Sequence, residues 1–332
     1  MERPLQIVAE LSPSASWRVA ARGLLLPSRT MPRRLWPPAL GLAYIAAVGL
    51  LGGLRGDHVL VGLLGFLDLY NEKSRLFLKL FFPFILTGIV FDSMRYFYWQ
   101  GIEGRVHVAA PYELERRVFG VGGSTLNEIF ERHHGPVLDL ACGFAYLTYV
   151  GEYLALAFVL FWRGRYRAVS TFALSFFVVN IMGYVTYFIY PVAPPWYVSQ
   201  YGLGPVRYDV GPAAAAAHRF DALLGTRFFD AMYGRGVDVF GAYPSLHVAY
   251  PLIAAVLAFR LSELRWARWP ALGFFLLMCL SAVYLQHHYV TDVVLGSVYA
   301  IVALAAVTAL DRRAAEQRDH QPPLEPETRA TM

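Results

Sequence analysis

An all-α, polytopic membrane helix bundle is the fold class that three features of the sequence predict. Of 332 residues, 57% are hydrophobic and 16% charged, with a mean hydropathy of +0.42, outside the balance of an ordinary soluble domain. Stretches such as 168–206, 239–259 and 269–291 hold no Asp, Glu, Lys or Arg over the roughly 20 residues that a hydrocarbon layer about 30 Å thick requires. Arginines gather instead in short links between such stretches.

The elements follow in order. Residues 1–35 carry scattered arginines and Pro27 but no long apolar run ending in a cleavage site, so they read as a cytoplasmic N-terminal segment rather than a removable signal peptide. The membrane-embedded domain spans 36–310, with helices expected near 38–54, 58–70, 76–98, 137–162, 168–190, 245–261, 269–286 and 289–310. The second is short and contains Asp68, which leaves a re-entrant segment open; the N-terminus would then lie on the opposite side. Residues 311–332, charged and Pro-rich, read as a disordered cytoplasmic tail. Cys142 and Cys279 both fall in apolar runs, which speaks against a disulfide framework.

Charge sets the sidedness. Arg163, Arg165 and Arg167 fill the link after the fourth helix, Arg260, Arg265 and Arg268 the link after the sixth, and Arg312 and Arg313 follow the eighth; all three groups should face the cytoplasm. The long connections 99–136 and 191–244 then lie on the extracytoplasmic face. His247, His288 and Asp292 begin helices leaving that face, so three residues distant in sequence share one side and a similar depth. The net charge of +5 is explained by these links, and no nucleic-acid partner is expected.

Those three residues suit chemistry at phosphorus. His288 and Asp292 stand four apart, a spacing that stacks them on a helix face so that the carboxylate can accept the Nδ1 proton and leave Nε2 as an outward lone pair. An imidazole held this way is a nucleophile, and Asp292→Asn is expected to be severe because it misdirects the tautomer. His247 would protonate the leaving alkoxide and later deprotonate the incoming hydroxyl. Ser245, at a helix start preceded by Pro244, would donate to a phosphoryl oxygen beside the free amides. A metal site would compete for the same side chains, but no third His or Cys stands at ligand spacing; His287 would point about 100° away around a helix. No cofactor is expected.

"YPSLH" (243–247) and "YLQHHYVTDVVLG" (284–296) resemble two signature motifs of the type 2 phosphatidic acid phosphatase superfamily, Pro-Ser-x-His and Ser-Arg-x5-His-x3-Asp. Ser281 matches the motif, Ala282 replaces its Arg, and the Lys-x6-Arg-Pro motif is absent, departures shared with sphingomyelin synthases and inositol phosphorylceramide synthases. "APPWYVSQYGLG", "HRFDALLGTRFF" and "VFGAYPSLH" resemble the latter in order and spacing over 193–296. The resemblance implies a six-helix catalytic core, here with about two additional N-terminal helices. It further implies His288 as nucleophile, Asp292 as its partner, His247 as proton donor, and no metal. The reaction implied moves phosphoinositol from a phosphatidylinositol-like donor to a ceramide-like acceptor, both membrane lipids. A lipid phosphate phosphatase and a non-catalytic transporter or scaffold stay open as alternatives.

Without the missing motif cations, Arg95 with Asp92 is the candidate phosphate clamp, the alternative being an interfacial anchor. Arg235 and Asp238 are further candidates, and Tyr243 is placed with the substrate-binding set. Trp196 reads as an interfacial aromatic or a lipid guide. Glu152 reads as an inter-helix hydrogen-bonding group. Arginine- and alanine-rich, lysine-poor usage points to a bacterial inner membrane; in a eukaryote the same face would be the Golgi lumen.

Overall fold

A computed structural model of the chain describes residues 34–319. Eight principal helices form: α1 Trp36–Leu50, α2 Gly56–Leu63, α3 Glu72–Ser93, α4 Pro136–Trp162, α5 Tyr166–Ile189, α6 Leu246–Arg260, α7 Arg268–Tyr284 and α8 Val290–Asp319. Among the described residues no strand is formed, only isolated bridges. Five helical segments are long and apolar enough to cross a membrane, namely Glu72–Tyr96, Pro136–Trp162, Tyr166–Ile189, Ser262–Tyr284 and Val290–Arg313. The protein is an integral multi-pass membrane protein.

Local chemistry explains the starts. Pro37 and Pro136 open α1 and α4 where a missing N–H costs nothing. Asn71 caps α3 by accepting the Ser74 amide at 2.8 Å. The second expected segment breaks at Leu63 into a 3-10 turn, Leu64–Leu69. It packs on α1 through glycine: a Cβ on Gly41 would sit 2.0 Å from the Gly62 carbonyl oxygen, so the two backbones touch. The N-terminal segment 1–35 lies almost wholly outside the described residues. The expected tail begins differently, since α8 continues unbroken to Asp319; 320–332 lie outside the described residues. Cys142 and Cys279 are both free thiols.

The short helix α6 is the axis of the core, touching α4, α5, α7 and α8. It succeeds there because Ala249, Ala254, Ala255 and Ala258 leave its surface thin enough for four neighbours, all four buried. The Tyr250 hydroxyl donates to Asn180 Oδ1 on α5, so these polar groups inside the bundle are paired. Two close approaches fix its N-terminal end. Gly183 of α5 admits the Leu246 side chain, and Gly296 of α8 lies against the Ser245 backbone.

At the opposite end the arginine-bearing links converge. Arg165 pairs with Glu263 at 3.0 Å and Arg167 with Asp311 at 2.6 Å, tying the α4–α5 link to the α6–α7 link and to α8. The long connections cover the other end with short helices, including Ala109–Val118, Leu126–Arg132 and Pro195–Tyr201. They are stitched by backbone bonds: Val192 N–H to the Phe240 carbonyl at 2.8 Å, and His107 N–H to the Pro191 carbonyl at 2.9 Å.

Candidate active site

The site lies where α6 and α8 begin. The Ser245 N–H donates to the Asp292 carbonyl at 3.0 Å, which joins the first turns of the two helices backbone to backbone. His247 is the second residue of α6, and its Nδ1 lies 3.1 Å from His288 Nε2. His288 Nδ1 in turn lies 2.8 Å from the Ala242 carbonyl oxygen and 3.5 Å from Asp292 Oδ2. A carbonyl can only accept, so the proton of His288 resides on Nδ1 and Nε2 keeps its lone pair, facing His247. The arrangement supplies an imidazole lone pair and a second imidazole N–H within one hydrogen bond of each other.

Asp292 acts less directly than the four-residue spacing implies. His288 stands two residues before α8, not on it, and Asp292 Oδ2 accepts the Tyr289 N–H at 2.8 Å as a helix-start cap. The tautomer of His288 is therefore set by the Ala242 carbonyl, and the enclosed carboxylate supplies nearby negative charge.

A cavity of about 80 Å³ opens beside the imidazoles, lined by His247, His288 and His287 with Tyr146, Trp196, Tyr233 and Asp238 among others. Among the described residues, no Lys or Arg lines it. His287 reaches it because α7 ends at Tyr284 and Gln286 takes a left-handed turn with φ 67°, so helical angular bookkeeping does not apply at 287. Its ring is sandwiched between Tyr233 (centroids 4.6 Å apart) and Tyr146 (4.9 Å), while Tyr146 also stacks on His247 at 4.4 Å. Burial, then the adjacent His288, pushes the His287 pKa down to about 3, so this imidazole is neutral at physiological pH. Among the described residues, no group of three or more His, Cys, Asp or Glu is arranged to hold a metal ion.

The other expected site residues divide. Trp196 lines the cavity, its backbone N–H donating to the Gln286 carbonyl at 3.0 Å. Ser245 is wholly buried, and its hydroxyl has no partner and does not line the cavity. Tyr243 turns toward Tyr190, with ring centroids 6.1 Å apart, and is not a lining residue. Arg95 and Asp92 belong to a different cluster. The Asp92 carboxylate receives Arg95, Arg55 at 2.7 Å and His58 at 2.9 Å, fastening α2 to the end of α3. The Arg95 guanidinium expected on phosphate is thus engaged by Asp92, three residues before it, the same carboxylate that Arg55 and His58 reach from the N-terminal hairpin.

Asp238 does line the cavity, folded back so closely that a Cβ on Gly241 would meet its Oδ2 at 1.9 Å. Burial pushes its carboxyl up to about 6, against the lowering pull of its own backbone hydrogen bond and of His288. Tyr98, buried in the core, and Tyr233 both feel its charge. A carboxyl whose folded pKa is raised from 3.8 holds its proton more tightly in the native state, so its stabilising contribution is complete below about pH 3.8 and is lost as pH rises through about 6. Asp238→Asn should therefore raise thermal stability at pH 7.5 by on the order of 1–3 kcal/mol, with the gain vanishing toward pH 4. Melting curves in detergent at both pH values check this; an equal gain at both would show that the carboxylate bears no burial penalty.

A helical multi-pass membrane protein with two imidazoles in contact and a carboxylate behind them, at one end of a six-helix core, is the class that fold and site define. Residues 112–306 match the family model described as the PAP2 superfamily, and the chain belongs to that superfamily. It is 35% identical over 254 residues to the phosphoinositol dihydroceramide synthase of Bacteroides thetaiotaomicron, covering 74% of this chain and 81% of that protein. It is 29% identical over 229 residues to the inositol phosphorylceramide synthase catalytic subunit of Schizosaccharomyces pombe, covering 68% of this chain and 53% of that protein. With the corresponding subunit of Saccharomyces cerevisiae the identity is 29% over 190 residues, 54% of this chain and 45% of that protein. The chain thus spans about half the length of these fungal relatives. No solved structure matches the chain.

Proposed function

We propose that this protein is a phosphotransferase that moves phosphoinositol from a phosphatidylinositol-type lipid to the primary hydroxyl of a ceramide-type lipid, releasing diacylglycerol. One observation carries the mechanism: His288 Nδ1 is held by the Ala242 carbonyl at 2.8 Å, leaving Nε2 as a free lone pair opposite His247. The relatives supply the substrate class, each named as a synthase of a phosphoinositol-bearing ceramide.

In the first displacement, His288 Nε2 bonds to phosphorus while the phosphorus–oxygen bond to the glycerol breaks, and the leaving alkoxide takes a proton from His247 in its imidazolium form, which is left neutral. The contact of 3.1 Å between the rings must open to admit the phosphoryl group. Asp292, 3.5 Å from Nδ1, offsets the positive charge that the phosphorylated imidazole gains. In the second, neutral His247 removes the proton of the ceramide hydroxyl, whose oxygen bonds to phosphorus as the nitrogen–phosphorus bond breaks. Both rings end as they began.

The site faces the extracytoplasmic side in this reading, supported by the convergence of the arginine links at the far end of the bundle. The membrane would be the inner membrane of a bacterium. Purified protein given headgroup-labelled phosphatidylinositol should yield labelled ceramide product only when ceramide is supplied. Free inositol phosphate, released equally with and without ceramide, would refute transfer.

A further inference from the structure

The loop that carries His288 is gripped from outside the six-helix core, by residues 156 to 176 positions upstream. Glu115, on the short helix Ala109–Val118, is completely buried, and its two carboxylate oxygens accept the N–H groups of Val290 and Thr291, each at 3.0 Å. These are the first two amides of α8, and the next residue is Asp292. A carboxylate there satisfies otherwise orphaned donors and is favoured by the helix dipole. The Asn127 side chain, from the helix Leu126–Arg132, donates to the Val283 carbonyl at 2.9 Å and to the His288 carbonyl at 3.0 Å. The Gln286 side chain returns a bond to the Asn127 carbonyl at 2.8 Å, which holds Gln286 in its left-handed conformation.

We propose that Glu115 and Asn127 are positioning residues for the transfer reaction, through which the extramembrane helix pair sets the placement of His288 and Asp292. The inference rests on His288 being the nucleophile. The loop between α7 and α8 is tied back at the His287 and His288 N–H groups, which donate to the Ala282 carbonyl at 3.2 and 3.0 Å, and Glu115 and Asn127 bind groups that these bonds leave open: the first amides of α8 and the His288 carbonyl. A nucleophile displaced by about 1 Å loses on the order of a hundredfold in rate, so the grip should be visible in turnover rather than in substrate binding.

The test is transfer from labelled phosphatidylinositol to ceramide in proteoliposomes, with rates expressed per folded molecule after gel filtration. Glu115→Gln puts an amide N–H against the helix amides, and Asn127→Ala removes both donors. Each should lower kcat at least about tenfold while KM for the donor lipid stays within about twofold. Glu113→Gln, an exposed residue on the same helix paired only with Arg116, should match wild type. Should Glu115→Gln fail to fold, Asn127→Ala decides. Wild-type kcat per folded molecule, or an effect confined to KM, would overturn the inference. His288→Ala run in parallel separates the two levels: activity in His288→Ala removes the nucleophile itself, whereas an inactive His288→Ala with fully active Glu115→Gln and Asn127→Ala removes only the positioning role.

Discussion

His288→Ala should lower transfer by at least about a hundredfold and abolish covalent labelling of the protein by headgroup-labelled donor, the scale expected when the attacking group is lost. In the wild type the label should be stable to base and labile to acid, as a phosphorus–nitrogen bond is. His247→Ala should cost a similar factor, because both the departing and the entering oxygen lose their proton carrier. Asp292→Asn should be milder, on the order of tenfold, since the Ala242 carbonyl at 2.8 Å keeps the His288 tautomer while only the charge at 3.5 Å is removed. Rapid-quench assays with the three variants check the order. Turnover of His288→Ala within tenfold of wild type would eliminate the covalent route.

Gly296→Ala should be the most damaging substitution that touches no reacting atom. The added methyl would stand 2.1 Å from the Ser245 carbonyl oxygen, and both partners are backbone, so neither can swing aside. Relief requires α8 to move off the start of α6, which also breaks the Ser245–Asp292 backbone bond. Overpacking of this kind costs about 1–3 kcal/mol, and activity should fall tenfold or more through the altered spacing of the histidines. Gly88→Ala on α3, where a Cβ meets nothing within 4 Å, is the matched control and should behave as wild type. Thermal midpoints and transfer rates of the two variants, measured side by side, check the prediction.

Much of the fold was legible because it follows from hydropathy: α3 to α7 fall within a few residues of the apolar runs that announce them, and α8 starts where its run does but continues past it to Asp319. The meeting of His247 and His288 was legible too, since α6, which carries His247, and α8, which His288 precedes, start at one end of the bundle. What escaped depended on contacts with no local signature. Asp92 and Arg95 looked like a phosphate clamp because nothing around them betrays Arg55 and His58, 37 and 34 residues away. His287 was misplaced because helical periodicity was carried through Gln286, where the backbone turns left-handed. Tyr146 and Tyr233 belong to no motif, and their stacking on the histidines arises only when α4 and the outer loop close over α6. Glu115 sits among ordinary surface charges in "YELERR", and its burial appears only when α8 arrives.

The single backbone bond between Ser245 and Asp292 has a kinetic corollary. It couples the supports of the two imidazoles: moving α8 off the start of α6 must break it, at a cost of about 1 kcal/mol, whereas turning a ring aside leaves it intact. Under the reaction proposed above, opening the His247–His288 contact by ring rotation would spare this bond and would belong to the fast class of side-chain motions.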